Sequence, residues 1–280
     1  MRLTETLEAI ERYYAANGRH DLPWRVPGAD GNFDPYKIMV SELMLQQTQV
    51  GRVIPKYQEF LTRFPSLQAL AAAQLGDVLV VWQGLGYNRR AKFLWQTARQ
   101  LAEQGGVFPA AVNELVKLPG VGVNTAGAIM AYSYDAPVVF VETNIRTVMI
   151  YHFFAEQDGV ADNEIRTATQ ELLAETDLSP REFYWALMDY GTHLKQTVGN
   201  LNKLSREYSK QSKFEGSRRQ VRGAVLRALS RESQTLSMLT SHITDERLPD
   251  VLADLQQEGL VHRAGARYSI HSNHEEDRVS

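Results

Sequence analysis

"LPGVGVNTAGAIMAYSYDAPVVFVETNIRT", residues 118–147, sets a glycine turn between two apolar helical runs and places one acid, Glu142, at the start of another helix. Val112, Leu115 and Val116 give the apolar face before the turn, and "NTAGAIMAY" gives the one after it. Gly120 and Gly122 can take positive φ and admit the close approach of another backbone. Such a turn leaves the first amides of the following helix without intrahelical partners, which makes an anion site that needs no lysine. Two readings fit the pentapeptide "LPGVG" alone: an ordinary helix–helix turn, and a seat for a phosphate. The run "PVVFVET" is β-rich but short and leads into a helical pattern at Asn144, so it reads as a buried connection or a helix start.

The rest of the chain sets bounds on what the turn serves. With 280 residues, 44% of them hydrophobic, it can bury one large core or two unequal ones, and two is the working number. The formal net charge of −3 gives no reason by itself to invoke a polyanionic partner, so any such partner must use a local patch. The chain has no cysteine, which excludes disulfides, thiolate zinc sites and cysteine-ligated iron–sulfur clusters. Its seven histidines are scattered, with no spacing that points to a metal. The N-terminus carries frequent charges and no signal-peptide core, and nothing approaches the roughly 18 consecutive apolar residues of a membrane span. The expectation is a soluble, cytoplasmic protein.

Helical periodicity dominates the first 200 residues. A first helix is expected over about 4–16, and Asp34-Pro35 should open another through "YKIMVSELMLQQ", with Asp34 as cap and Glu42 inside. Further runs fall at about 50–63, 66–73, 75–82, 88–104 and 109–116. Between Lys195 and Arg231 there are ten basic residues against two acids, Glu207 and Glu215. Alone, such a run is more often a solvated face than a phosphate contact, although Tyr208 and Phe214 within it could anchor a ligand. After Gly216 come Val221, Val225, Leu226 and Leu229 on one helical face, "TLSMLTSHI", then Leu248, Val251, Leu252 and Leu255. "GLVHRAGARYSI" then gives two short strands around Ala264-Gly265. Three helices and a hairpin resemble a winged helix, a unit that serves DNA binding and protein contact alike.

Six stretches in order extend the reading: "LPWR" (22–25), "SELMLQQTQV" (41–50), "WQGLGYNRRAK" (82–92), "LPGVGVNTAGAI" (118–129), "VETNIRTV" (141–148) and "ALMDYG" (186–191). Together they resemble the helix-hairpin-helix (HhH-GPD) DNA glycosylase superfamily, and most closely its adenine glycosylase branch. The resemblance implies a mainly α, two-lobed fold over 1–215, with a six-helix lobe at about 28–140 and a second lobe from 1–27 plus 141–215, followed by a winged-helix-like domain at 216–280. It implies base excision repair on double-stranded DNA by a monomer, in the cytoplasm with the nucleoid, with a mismatched adenine as leading substrate. Other mismatched or damaged bases, or a non-catalytic DNA-binding role on the same scaffold, are the alternatives.

The resemblance also gives residues their expected roles. Cleaving an N-glycosidic bond develops positive charge on the sugar and negative charge on the departing base, so one group should protonate the base and a carboxylate should steady the sugar. Glu42 matches the acid that protonates the purine. Glu142 stands where the family has an aspartate, one methylene shorter, and Asn144 follows in the same motif. Asn124 stands where strand-cleaving members carry a lysine that forms a Schiff base, so the expected enzyme is monofunctional. Gln47, Thr48, Leu85 and Tyr87 are the nominated wedge and opposite-base residues. Arg89, Arg90, Lys92, Gly120, Gly122, Thr125, Arg146, Lys210 and Lys213 are nominated for the DNA backbone, and Trp24, Arg25 and Trp185 for the base pocket. The carbonyls of Val116, Leu118 and Val121 are expected to hold Na+ or K+; no other cofactor is expected.

Three departures accompany the resemblance. Lys195 stands where the first of four cluster cysteines falls, so the basic segment is expected to replace the loop that the iron–sulfur cluster supports. The winged-helix-like unit occupies the place of the domain that reads 8-oxoguanine in fuller relatives. Trp185 replaces a polar residue that reads the adenine edge, which leaves the identity of the bound base open and points to stacking.

Overall fold

The structure is a computed structural model and describes residues 2–210 and 213–271. It resolves into two compact units. One takes the described residues up to Glu42 together with Pro109–Lys117 and Val121–Lys210; the other takes Leu43–Phe108, Leu118–Gly120 and the described residues from Lys213 onward.

The first unit is helical. It contains α1 (Arg2–Asn17), most of α2 (Pro35–Leu45), α7 (Val112–Leu115), α8 (Val123–Tyr134), α9 (Thr143–Phe153), α10 (Asp162–Glu175) and α11 (Pro180–Thr197). Helix α2 starts as its sequence directs: Asp34 Oδ1 accepts from the Tyr36 amide at 2.9 Å, and Pro35 takes the first helical position. The predicted run at 109–116 shrinks to the single turn of α7, because Ala111 is extended (φ −150°, ψ 137°). Ala136–Glu142 forms no regular element and leads straight into α9, as the short β-rich run suggested.

Helices α9 and α11 meet closely because Gly191 has no side chain: a Cβ there would overlap the Asn144 carbonyl oxygen. Val148, Ile145, Phe183 and Leu187 are fully buried around this crossing. Gly191→Ala is therefore expected to force the two helices apart at a cost of about 1–3 kcal/mol, read as a fall of several degrees in Tm. An unchanged Tm would show that the crossing has room to spare.

The second unit holds α3 (Val50–Arg63), α4 (Leu67–Ala72), α5 (Leu75–Val81) and α6 (Arg89–Glu103) around Phe60, Leu70, Leu79, Trp82 and Leu94, each buried. Gly120 belongs here. It adopts φ +74° with Phe93 directly beneath it, where an added Cβ would lie 2.6 Å from the Phe93 Cβ, so this turn glycine is required on both counts. Gly122 is different: its φ is −84°, and open space surrounds the position of its missing Cβ.

The same unit includes α12 (Arg218–Leu229), β1 (Gln234–Thr235), α13 (Leu236–His242), α14 (Leu248–Gln257), β2 (His262–Ala264) and β3 (Arg267–Ser269). The apolar spacing read from the sequence is the buried face: Val221, Val225, Leu226, Leu229, Leu248, Val251, Leu252 and Leu255 are all within the core. The expected hairpin is present, with Ala264 opposite Arg267. A third strand joins it, since β1 pairs antiparallel with β3 to give the order β1-β3-β2. No described helix is long and apolar enough to cross a membrane.

Candidate active site

Glu42 is the single acid in a helix buried almost throughout. Ile38, Met39, Val40, Ser41, Leu43 and Met44 are each no more than 2% exposed. A solvated helix face is thereby excluded for Glu42, which is itself only partly accessible. Burial pushes its carboxyl well above the ordinary range, and the nearby charge of Glu142 pushes it further, against the lowering influence of Arg25. Glu142 stands at the N-cap of α9, yet its side chain makes no capping hydrogen bond. The carboxylate is thus not used to finish the helix, and burial raises its pKa to about 7. Residues 100 positions apart in sequence meet in one electrostatic site.

Around this pair lies a ring that the sequence only half disclosed. Arg25, 6% exposed, makes a two-pronged pair with Asp189 of α11, at 2.8 and 2.9 Å, and Arg19 bonds the same carboxylate. Burial alone would raise the Asp189 carboxyl, but the hydrogen bonds and charges of Arg25 and Arg19 hold it below its usual range. The Arg25 guanidinium also lies 5.3 Å from the Trp185 ring, which stacks on Tyr132 and meets Phe33 edge-on. Trp185 is 7% exposed, so it is packed between Arg25, Tyr132 and Phe33 rather than offering an open ring face. Trp24 is buried too.

Tyr132, Asp189 and Phe33 escaped the sequence reading. Burial, then the charges of Glu42 and Glu142, raise the Tyr132 hydroxyl well above its ordinary pKa, which keeps it a neutral donor. Tyr132 sits in the apolar pattern of "NTAGAIMAY" and Asp189 in "ALMDYG"; neither stretch carries a local signal for this role.

Asn124 and Asn144 have structural partners. Asn124 Oδ1 accepts from the Val141 amide at 3.3 Å and from Arg166 at 3.1 Å, so it ties the start of α8 to the segment that delivers Glu142. Asn144 donates its amide to Thr192 at 3.3 Å, fixing α9 on α11.

The second unit carries the nominated wedge residues. Gln47 and Tyr87 are exposed and both adopt positive φ, 56° and 47°. For residues with a Cβ this conformation costs of order 1–3 kcal/mol and persists only where surroundings impose it. The imposing group is Arg90, whose guanidinium donates to the carbonyls of Leu43, Met44, Gln46, Leu85 and Gly86 and to Thr48 Oγ1. Arg90 is 7% exposed, and burial lowers its pKa to about 10. It is a clamp on two loops, and the phosphate contact read from the sequence is corrected accordingly.

Other nominations change for similar reasons. Leu85 is 4% exposed, so its carbonyl and not its side chain serves the loop. Lys92 donates to the Glu258 carbonyl, and Arg146 makes a two-pronged pair with Asp162 at 2.7 and 2.9 Å. Within the basic run, Arg218 and Arg222 are neutralised by Asp254 and Glu258. Arg89 is exposed, stacked on Phe93 under the Gly120 turn, and Gly122, Lys210 and Lys213 are exposed as well. Thr125 is half-buried in the first turn of α8. Among the described residues, no group of three or more His, Cys, Asp or Glu could hold a metal ion.

Residues 40–175 match the HhH-GPD superfamily base excision DNA repair protein family, so this segment of the chain is similar to that superfamily. The chain is 40% identical over 147 residues to the adenine DNA glycosylase of Buchnera aphidicola subsp. Baizongia pistaciae, covering 52% of this chain and 40% of that one. It is 40% identical over 176 residues to the adenine DNA glycosylase of Mycolicibacterium smegmatis, covering 62% and 58%, and 42% identical over 136 residues to that of Mus musculus, covering 47% and 26%. The chain thus spans less than two thirds of the length of these relatives. Among solved structures it resembles a thermostable thymine-DNA glycosylase (TM-score 0.58, 23% identity, 72% of this chain and 94% of that one). It also resembles an H. pylori 3-methyladenine DNA glycosylase bound to 1,N6-ethenoadenine (TM-score 0.53, 16% identity, 69% and 98%). These likenesses show the fold.

Proposed function

We propose that the chain is a monofunctional DNA N-glycosylase that removes a flipped base from duplex DNA, with adenine in a mismatch as the leading substrate. The observation that carries this is the pairing of Glu42 with Glu142, two buried carboxyls whose pKa values are both raised. The relatives named adenine DNA glycosylase support the choice of base.

Two carboxyls that share a site do not ionise together, so the pair divides into an acid and a base. Glu42, the more strongly raised, keeps its proton and gives it to a ring nitrogen of the base. The bond from C1′ to the base breaks, its electron pair leaves with the base, and positive charge develops on the sugar. The Glu142 carboxylate faces that charge, and a water molecule bonds to C1′ and gives its surplus proton to the now ionised Glu42, leaving an intact abasic site. Asn124 has no amine to attack the sugar, so no strand break follows.

The DNA contacts fall to Gln47, Thr48 and Tyr87 at the gap, and to Arg89, Gly122, Thr125, Lys210 and Lys213 along the backbone. The carbonyls of Val116, Leu118 and Val121 are the proposed ligands of a monovalent cation, Na+ or K+. The element order after Gly216 supports a winged-helix-like domain, and a monomer acting with the nucleoid in the cytoplasm completes the reading.

The test is incubation of the purified protein with duplexes carrying adenine opposite guanine or 8-oxoguanine, uracil, mismatched thymine or alkylated bases, followed by alkali. The expected result is strand breakage at adenine after alkali alone. No alkali-labile site in any duplex would refute the activity, release of another base would refute the substrate, and a borohydride-trapped adduct would refute the monofunctional assignment.

A further inference from the structure

We infer that Arg219 of α12 is a positioning residue for Tyr87, so that the C-terminal elements take part in opening the base stack. The inference rests on the proposed glycosylase reading for what Tyr87 does. Arg219 Nη1 donates to the Tyr87 hydroxyl at 2.5 Å, and its guanidinium carbon lies 5.6 Å from the ring centroid. Arg90 approaches the same ring at 5.5 Å. Tyr87 is therefore a 40%-exposed aromatic, in a strained backbone conformation, whose ring is engaged by two guanidinium groups from different elements.

Arg219 is itself held in place. On the neighbouring face of α12, Arg218 and Arg222 pair with Asp254 of α14 and Glu258 at its C-cap, which matches two i, i+4 rows. Lys92 of α6 donates to the Glu258 carbonyl, and α6 begins two residues after Tyr87. The contacts close a ring from Tyr87 through Arg219, α12, α14 and Lys92 back to the Tyr87 loop. Farther along α12 and just past its end, Arg227 and Arg231 are exposed and have no ion pair among the described residues. Arg219 thus differs from its basic neighbours in having a specific aromatic target. A wedge fixed before DNA arrives loses less side-chain freedom on insertion, which is the advantage of preorganisation.

The test uses the full chain and a duplex with 2-aminopurine beside a tetrahydrofuran abasic analogue, which reports unstacking without any base being released. Arg219→Ala is expected to keep the wild-type Tm, lose most of the fluorescence rise on binding, and slow single-turnover base release about 10-fold. Adding Tyr87→Ala should cause little further loss. Arg219→Lys, which keeps the charge and loses the flat group, should recover affinity and not the fluorescence rise. Arg227→Ala, which removes a charge without touching Tyr87, should change only the salt-dependent affinity. Equal behaviour of Arg219→Ala and Arg227→Ala, or independent effects of Arg219→Ala and Tyr87→Ala, would overturn the inference. If wild-type protein releases no base from any duplex, the glycosylase reading fails by itself, and the fluorescence comparison still decides the role of Arg219.

Discussion

Glu42→Gln is expected to reduce base release by about 10³-fold, the scale of a lost general acid, while binding to a duplex with an abasic analogue is retained. Glutamine fills the same volume in a helix where Met39, Val40, Leu43 and Met44 are buried, so the loss isolates the proton. The same substitution should stabilise the protein near neutral pH. Glu42 holds its proton in the folded state at pH values where an unfolded carboxyl, titrating near 4.5, has already released it. Ionisation therefore favours unfolding, and the penalty grows as pH rises above the unfolded value. Removing the carboxyl should raise Tm at pH 8 and change it little at pH 4. A fall in Tm at pH 8, or unchanged base release, would contradict the assignment.

Glu142→Gln is expected to cost about 10²–10³-fold in single-turnover rate, the scale seen when one electrostatic group facing developing charge is removed. It should also change the pH profile. Glu142 must be ionised to face the sugar cation, and burial places its pKa at about 7. The wild-type rate should rise as pH passes through about 7 and fall at higher pH as Glu42 loses its proton. In Glu142→Gln the rising limb should vanish. Glu142 contributes to stability with the same sign as Glu42: its penalty is absent below the unfolded value of 4.5 and complete above about 7. The variant should accordingly gain about 1–3 kcal/mol at pH 8, read by denaturant titration. Glu142→Asp moves the carboxylate by about an ångström, a displacement that can cost up to 10²-fold in rate. A profile whose rising limb survives in Glu142→Gln would assign that limb to another group.

Much of the fold was legible because it is periodic. The apolar faces of α12 and α14 in the sequence are those buried in the structure, and Asp34-Pro35 starts α2 as capping chemistry requires. Strand β1, two residues long, was not legible, since a pair such as Gln234-Thr235 carries no alternation and forms only because β3 is there to receive it. At the site, Glu142 stood out as an acid directly after an apolar run, and Glu42 was nominated by the family resemblance. Their companions did not, because Asp189 acquires its meaning only from Arg25, 164 positions away. Arg90 was misread for a related reason. An arginine following "GLGYN" looks the same in sequence whether it faces phosphate or gathers carbonyls, and only the return of residues 43–48 to its guanidinium decides between them.

The most direct measurement is the single-turnover rate of base release by Glu42→Gln/Glu142→Gln beside the two single variants, on one mismatched duplex. Two carboxyls that serve one bond at one moment should lose little more together than the worse of them loses alone. Rate losses that multiply, with each side chain contributing independently of the other, would contradict a shared site.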